Sequence, residues 1–374
     1  MIPIAKPYLT EEDANAPHDV ILSGWVTQGP KVQEFEENFA EYVGAKHAVA
    51  VSSCTTALHL AMLVAGVGEG DEVICPSMSY IATANSIRYA NAIPVFAEVG
   101  DDYNLDIDDA QKKITSKTKA ILLVHQIGMP ADIDAFRQLC EAHNVILIED
   151  AACAVGSAYN GQKIGSHSEL VCFSFHPRKV ITTGDGGMIT TSNPKFAERL
   201  KRLRQHGVSV TDRARHSADK IIFEEYLELG YNYRMTDIQA SVGIKQLEKL
   251  DKIIEKRRTI ALRYHQELGD LDFLCLPVAK EGSFSNYQSY SIYLKENCPV
   301  SRDELMQKLF DAGVSSRRGI MTAHRELAYR DLCKDVSLPV SEDLADNSIL
   351  IPLFAQMTEE EQNYVIKSIR SAFK

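Results

Sequence analysis

The chain has 374 residues, enough for two domains, with 45% hydrophobic and 24% charged residues, the balance of a globular protein. Its formal net charge of -11 excludes a nucleic-acid backbone as the main partner, which clustered Lys and Arg would have to neutralise. A small phosphorylated ligand is not excluded, because one local positive pocket can hold it.

The opening stretch, MIPIAKPYLTEED, has no apolar core of signal-peptide length. No run approaches the roughly 18 apolar residues of a membrane span. The eight cysteines are scattered, without C-x-x-C spacing, and several lie in apolar runs such as VICPS and VCFSF. Free thiols in a reducing compartment fit this usage. The expectation is a cytoplasmic protein with no membrane contact and no bound metal.

From about residue 46 to 191, short apolar runs alternate with helix-like segments. HAVAVSS, DEVICP, IPVFAEV, KAILLVH, VILIED, LVCFSF and GMITT have strand character. Amphipathic stretches such as TTALHLAMLVAG and DIDAFRQLCEAHN separate them. This alternation predicts an α/β fold with a mainly parallel seven-stranded sheet covered by helices on both faces. Ligands of such sheets sit at the carboxyl ends of the strands.

Near MTDIQASVGIKQLEKLDKIIEKRR, Ile244, Leu247, Leu250 and Ile254 keep helical spacing, which predicts one long helix leaving the first domain. Ser301 with Glu304 and Thr358 with Glu361 form capping-box pairs, each opening a helix. The predicted division is residues 1–245 as a large domain with an N-terminal arm, and 246–374 as a smaller C-terminal α+β domain.

Several residues fall where a ligand would lie. In SSCTTALHLAM, Thr55 and Thr56 open a helix after a strand, either as ordinary caps or as part of a phosphate site at the helix N-terminus. Tyr80, after the next strand, is either core or a ring stacked on a flat cofactor. Asp150 ends VILIED; it either caps the next helix or waits in an apolar cleft for a cation such as a protonated pyridine nitrogen. Lys179, in SFHPRKVITTGDGG, is either a solvated loop lysine or a desolvated amine with lowered pKa, able to act as a nucleophile. Ser174 and His176 lie two residues apart and can offer donors to a phosphate or ring oxygen. Asn232, in GYNYRMTD, is either a turn residue or part of the same site. A Walker-type lysine is excluded, since G-x-x-x-x-G-K-[ST] is absent.

The order of these pieces, with SGWVTQGPKVQEFEENFAEYVGAKHAVAVSS, GDEVICPSMSYIATANSI, VHQIGMPADIDA, IEDAACAVGSAYNGQKIGS, FSFHPRKVITTGDGGMITT and GYNYRMTDIQAS, resembles the DegT-type nucleotide-sugar aminotransferases. These are pyridoxal 5'-phosphate enzymes of the aspartate-aminotransferase fold. The resemblance implies that Lys179 forms the Schiff base with the cofactor and shuttles the proton, while Asp150 pairs with the pyridinium nitrogen. It implies that Tyr80 stacks on the ring, that Thr55, Thr56 and Ser174 hold the phosphate, and that His176 lies near the cofactor. Asn232 would reach the cofactor phosphate of a neighbouring subunit, which implies a homodimer with shared active sites. Two positions depart from the family pattern: Cys54 stands where Gly is usual, and Cys153 where Gln is common.

The implied reaction is ping-pong transfer of an amino group from L-glutamate to a nucleotide-linked keto-sugar, most often at C4 of a 4-keto-6-deoxyhexose and sometimes at C3. It would belong to deoxyamino-sugar and polysaccharide biosynthesis. Arg317, Arg318 and His324, in SSRRGIMTAHRE, suit an anionic substrate electrostatically or form a solvated basic strand end; His206–Val208 is a further place for sugar contacts. Two other classes compete. A non-catalytic binder of the same fold has no need of the Asp150–Lys179 pair, and a dinucleotide oxidoreductase would need a G-x-G-x-x-G after the first strand.

Overall fold

A computed structural model describes residues 1–210 and 221–374. All seven segments predicted as strands form: β1 (His47–Val51), β2 (Glu72–Pro76), β3 (Ile93–Ala97), β4 (Thr118–Val124), β5 (Ile146–Asp150), β6 (Leu170–Ser174) and β7 (Gly187–Thr191). They pair in one sheet ordered β1-β7-β6-β5-β4-β2-β3. Only β7 runs against its neighbours. The strand order reverses between β2 and β4, and the crevice outside such a reversal is where these sheets receive ligands.

The strands are apolar along their whole length because helices cover both faces. Ala48, Ala50, Ile74, Ile121, Leu123 and Leu147 point into one core, with Phe35, Phe39, Phe136 and Ile253. Their neighbours Val49, Val51, Val73, Ala120, Leu122 and Ile148 point into the other, with Leu58, Leu60, Ile87 and Leu200. The period-two alternation of a strand thus feeds two cores at once.

A third core surrounds Tyr264, Tyr290, Ile292, Leu305, Ile349 and Ile369. It lies under a four-stranded antiparallel sheet whose longer strands are Tyr290–Leu294 and Ser348–Ile351. Both predicted capping boxes form, at Ser301–Glu304 and Thr358–Glu361. The first residues are tied to this last part of the chain: Ile2 N–H donates to the Gly313 carbonyl, and Ser315 N–H donates to the Ile2 carbonyl.

The single long helix expected here is two helices, Asp237–Glu248 and Leu250–Leu268. Lys249 breaks it with φ -111 and ψ 8. The side chains of Gln246 and Lys249 both bond Asp13 in the N-terminal arm and so hold the end of the first helix. Past the break the apolar stripe serves first the large core (Ile253, Ile254) and then the third (Ile260, Tyr264). A bend lets one stripe serve both. Among the described residues, no helix is long and apolar enough to cross a membrane.

Candidate active site

Asp150 is the last residue of β5 and is buried. One carboxylate oxygen accepts a hydrogen bond from the Thr83 hydroxyl at 3.0 Å, the other from the Ala152 N–H at 3.1 Å. Burial pushes its pKa above the ordinary carboxylate value, outweighing the Ala152 N–H, the Lys179 charge and the Thr83 hydroxyl, which pull it down. Among the described residues no ion pair forms at Asp150, so a cation placed here would relieve its desolvation.

Glu149, one residue earlier, points to the opposite face. The His125 Nδ1 accepts a hydrogen bond from the Ala131 N–H at 3.1 Å, which leaves Nε2–H to donate to Glu149 at 2.8 Å. Burial would raise the pKa of Glu149, but the bond from His125, helped by Ser168 and His167, holds it below the usual value. This pair braces the end of β5 from behind.

Lys179 lies in the loop that joins β6 to β7. The loop is stitched by Phe175 N–H to the Gly186 carbonyl at 2.9 Å, Thr183 N–H to the Phe175 carbonyl at 3.0 Å, and Lys179 N–H to the His176 carbonyl at 2.8 Å. The Lys179 amine donates to the Cys153 sulfur at 3.1 Å. Burial was expected to lower the pKa of this lysine. It does act that way, but the Cys153 sulfur and the Asp150 carboxylate outweigh it, and the net shift is upward. With no cofactor bound, the amine is an ammonium held among acidic groups.

The helix Cys54–Val64 begins beside this pair. Ser53 and Thr56 form a capping box: Thr56 N–H donates to Ser53 Oγ, and Ser53 N–H donates to Thr56 Oγ1 at 3.1 Å. The Thr56 hydroxyl donates to the Ser53 carbonyl at 2.8 Å. The ordinary cap is therefore real, and it leaves the N–H groups of Cys54 and Thr55 at the helix head, where no intrahelical acceptor exists. Gly187 makes the site compact: a Cβ there would lie 2.5 Å from the Ser53 carbonyl carbon. Burial, reinforced by Asp150, raises the Cys54 thiol pKa and keeps it neutral.

Ser174 is buried at the end of β6, and the His176 N–H points at its hydroxyl at 3.4 Å. Burial and the charges of Arg178 and Lys179 lower the His176 pKa, so its ring is neutral at pH 7. The Tyr80 ring is 64% exposed just past β2. Asn232 is exposed on a segment that bonds back to the main sheet through Ser52 N–H and the Tyr233 carbonyl, 2.8 Å apart. Arg317 and Arg318 are exposed on a two-residue strand. His324 is buried, with Nδ1 on Ser77 Oγ at 2.6 Å and Nε2 on Glu342 at 3.1 Å, so both ring nitrogens are occupied within the protein. In this arrangement its ring is a brace and offers no donor to an anion. His206 and Gly207 form a tight left-handed turn against the backbone of Glu228.

Sequence reasoning missed Thr83, His125 and Asn286. Asn286 is fully buried and donates to the carbonyls of Cys153 at 2.9 Å and Val155 at 2.8 Å. It packs against Gly128, whose φ is +94 and where a Cβ would meet the Asn286 side chain at 1.9 Å.

The model of the DegT/DnrJ/EryC1/StrS aminotransferase family matches residues 7–370. GDP-perosamine synthase of Vibrio cholerae is 37% identical over 377 residues, which cover 100% of this chain and 99% of that protein. The aminotransferase TlmJ of Streptoalloteichus hindustanus superposes with a TM-score of 0.91 at 34% identity, over 100% of this chain and 98% of that one. Spr1654 of Streptococcus pneumoniae, in its PMP form, gives a TM-score of 0.93 at 29% identity, over 100% and 99%. Its PLP form gives 0.91 at 29% identity, over 99% and 98%. Sequence and fold agree along nearly the whole length, and the chain belongs to the DegT/DnrJ/EryC1/StrS aminotransferase family.

Proposed function

We propose that this aminotransferase uses pyridoxal phosphate to move an amino group from L-glutamate to the keto carbon of a nucleotide-linked sugar, C4 of a 4-keto-6-deoxyhexose in the first instance. The observation that carries the proposal is the juxtaposition at the carboxyl ends of neighbouring strands of a buried, cation-seeking Asp150 and the amine of Lys179. The residues present fit the cofactor: Asp150 needs a cation, a helix head offers free N–H groups, and Gly187 keeps the space between them narrow. When bound, pyridoxal phosphate supplies an aldehyde carbon to carry the amino group and a ring that draws electrons from it.

Each residue then has a physical task. Thr83 and Ala152 orient the Asp150 carboxylate, which would hold the cofactor's ring nitrogen and favour its charged form. Lys179 Nζ is the covalent anchor, and once released it moves a proton as general base and then general acid. Ser174 and the Thr55–Thr56 helix head would hold the phosphate, Tyr80 would supply a ring to stack on the cofactor, and His176 would stay neutral near it. Arg317 and Arg318, exposed at the surface with Arg318 3.7 Å from the Glu326 carboxylate, attract the substrate diphosphate.

A homodimer follows from the same reading. Ile221, Phe223 and Leu229 are each more than 80% exposed, an apolar strip suited to burial against a second copy. Asn232, exposed nearby, would complete the partner's phosphate site. The name of the Vibrio cholerae relative favours a GDP-linked sugar substrate.

The test is to load the enzyme with amino groups from L-glutamate, remove the donor, and offer a panel of GDP-, UDP- and dTDP-linked 4-keto and 3-keto sugars. An aminated product from a GDP-linked 4-keto-6-deoxyhexose is expected. Amination only at C3 would move the assignment to a 3-keto substrate, and failure to accept an amino group from any amino acid would sink the transaminase reading in favour of a binder.

A further inference from the structure

The contact between the Lys179 amine and the Cys153 sulfur, at 3.1 Å, joins two well-fixed pieces of backbone. Cys153 is held through its carbonyl by buried Asn286, and Asn286 in turn accepts the Gln288 N–H at 2.8 Å. Just upstream, Ala151 N–H donates to the Cys172 carbonyl at 2.8 Å, locking the start of the turn to β6. The lysine loop is pinned by its own bonds to Phe175 and Gly186. A side chain with the four rotatable bonds of lysine loses much of its freedom when its tip is bound this way.

We propose that Cys153 is a positioning residue for Lys179, whose sulfur accepts a hydrogen bond from the amine and aims it into the site. This rests on the reading of Lys179 as the cofactor's anchor. The sulfur holds the tip of the lysine, while Asn286 holds the Cys153 backbone and the loop bonds hold that of Lys179. The other groups facing the amine are Asp150 at the end of β5, Cys54 at the helix head and His176 in the same loop. Asp150 favours the ammonium, as the Cys153 sulfur does, while Cys54 stays a neutral thiol. A substitution at Cys153 therefore isolates the share of the sulfur.

The experiment compares cofactor-free wild type, Cys153→Ala and Cys153→Ser. Reductive methylation with formaldehyde and cyanoborohydride is followed at the Lys179 peptide by mass spectrometry across a pH series, and pyridoxal phosphate uptake is followed by absorbance over the same series. In Cys153→Ala the pH midpoint of Lys179 methylation should fall by about one unit, so that below it labelling is ~10-fold faster. Cys153→Ser should retain the geometry and lie between the two. Equal midpoints in all three folded proteins, with thermal melts unchanged, would overturn the inference. Failure of wild-type Lys179 to take up pyridoxal phosphate would instead overturn the functional reading, and the methylation midpoints would still report on the sulfur.

Discussion

Asp150 is the residue at which the proposed function and stability pull apart. Its carboxylate is buried on two neutral donors, and burial raises its pKa. A raised carboxylate pKa means that ionisation costs more in the folded than in the unfolded chain. The penalty is absent below the unfolded value, grows as pH rises through it, and is complete above the folded value. Asp150→Asn should therefore melt higher than wild type in the cofactor-free state at pH 7, and lose this advantage in acid. The same variant should lose at least ~100-fold in transamination. Equal melting curves at pH 7 would contradict the burial argument. Asp150 and Lys179 were legible because each follows an apolar strand run. Thr83 was not, because its bond to Asp150 spans 67 positions and nothing local marks it.

At the scale of elements, the strands were legible almost to the residue, since runs of four to seven apolar residues between turn signals leave few alternatives. The two-residue strands of the smaller sheet, such as Arg317–Arg318, are too short to carry any period. The break at Lys249 was hidden because the helical spacing continues through it, and only contacts with Asp13 explain the bend. The clearest non-local element contact is the cap of the helix Pro30–Val43. Asp237, more than 200 positions away, accepts hydrogen bonds from the N–H groups of Gly29, Lys31 and Val32. Three donors at a helix head share one carboxylate. Asp237→Ala should cost about 2 kcal/mol in urea unfolding, and Asp237→Asn should recover part of that. A loss below a few tenths of a kcal/mol would show that solvent satisfies those donors equally well.

For the whole molecule, the account turns on whether one chain makes a complete site. If Asn232 serves the partner's phosphate, Lys179→Ala and Asn232→Ala chains mixed and reassembled should regain activity that neither has alone. Random pairing gives half heterodimers, each with one intact site, so about a quarter of wild-type activity is expected. No recovery on mixing, with dimers formed, would place Asn232 in its own subunit's site or outside any site. This level was the least legible, because the proposed second copy would mark a single chain chiefly through exposed apolar residues such as Phe223 and Leu229.

The central claim is that Lys179 carries the cofactor opposite Asp150, and borohydride trapping tests it most directly. The holoenzyme is reduced and digested, and the peptide bearing the pyridoxyl phosphate mass is sequenced. The account predicts a single modified residue, Lys179, with the label lost in Lys179→Ala and not transferred to another lysine. A label on any other lysine, or none in protein that binds the cofactor, would contradict it.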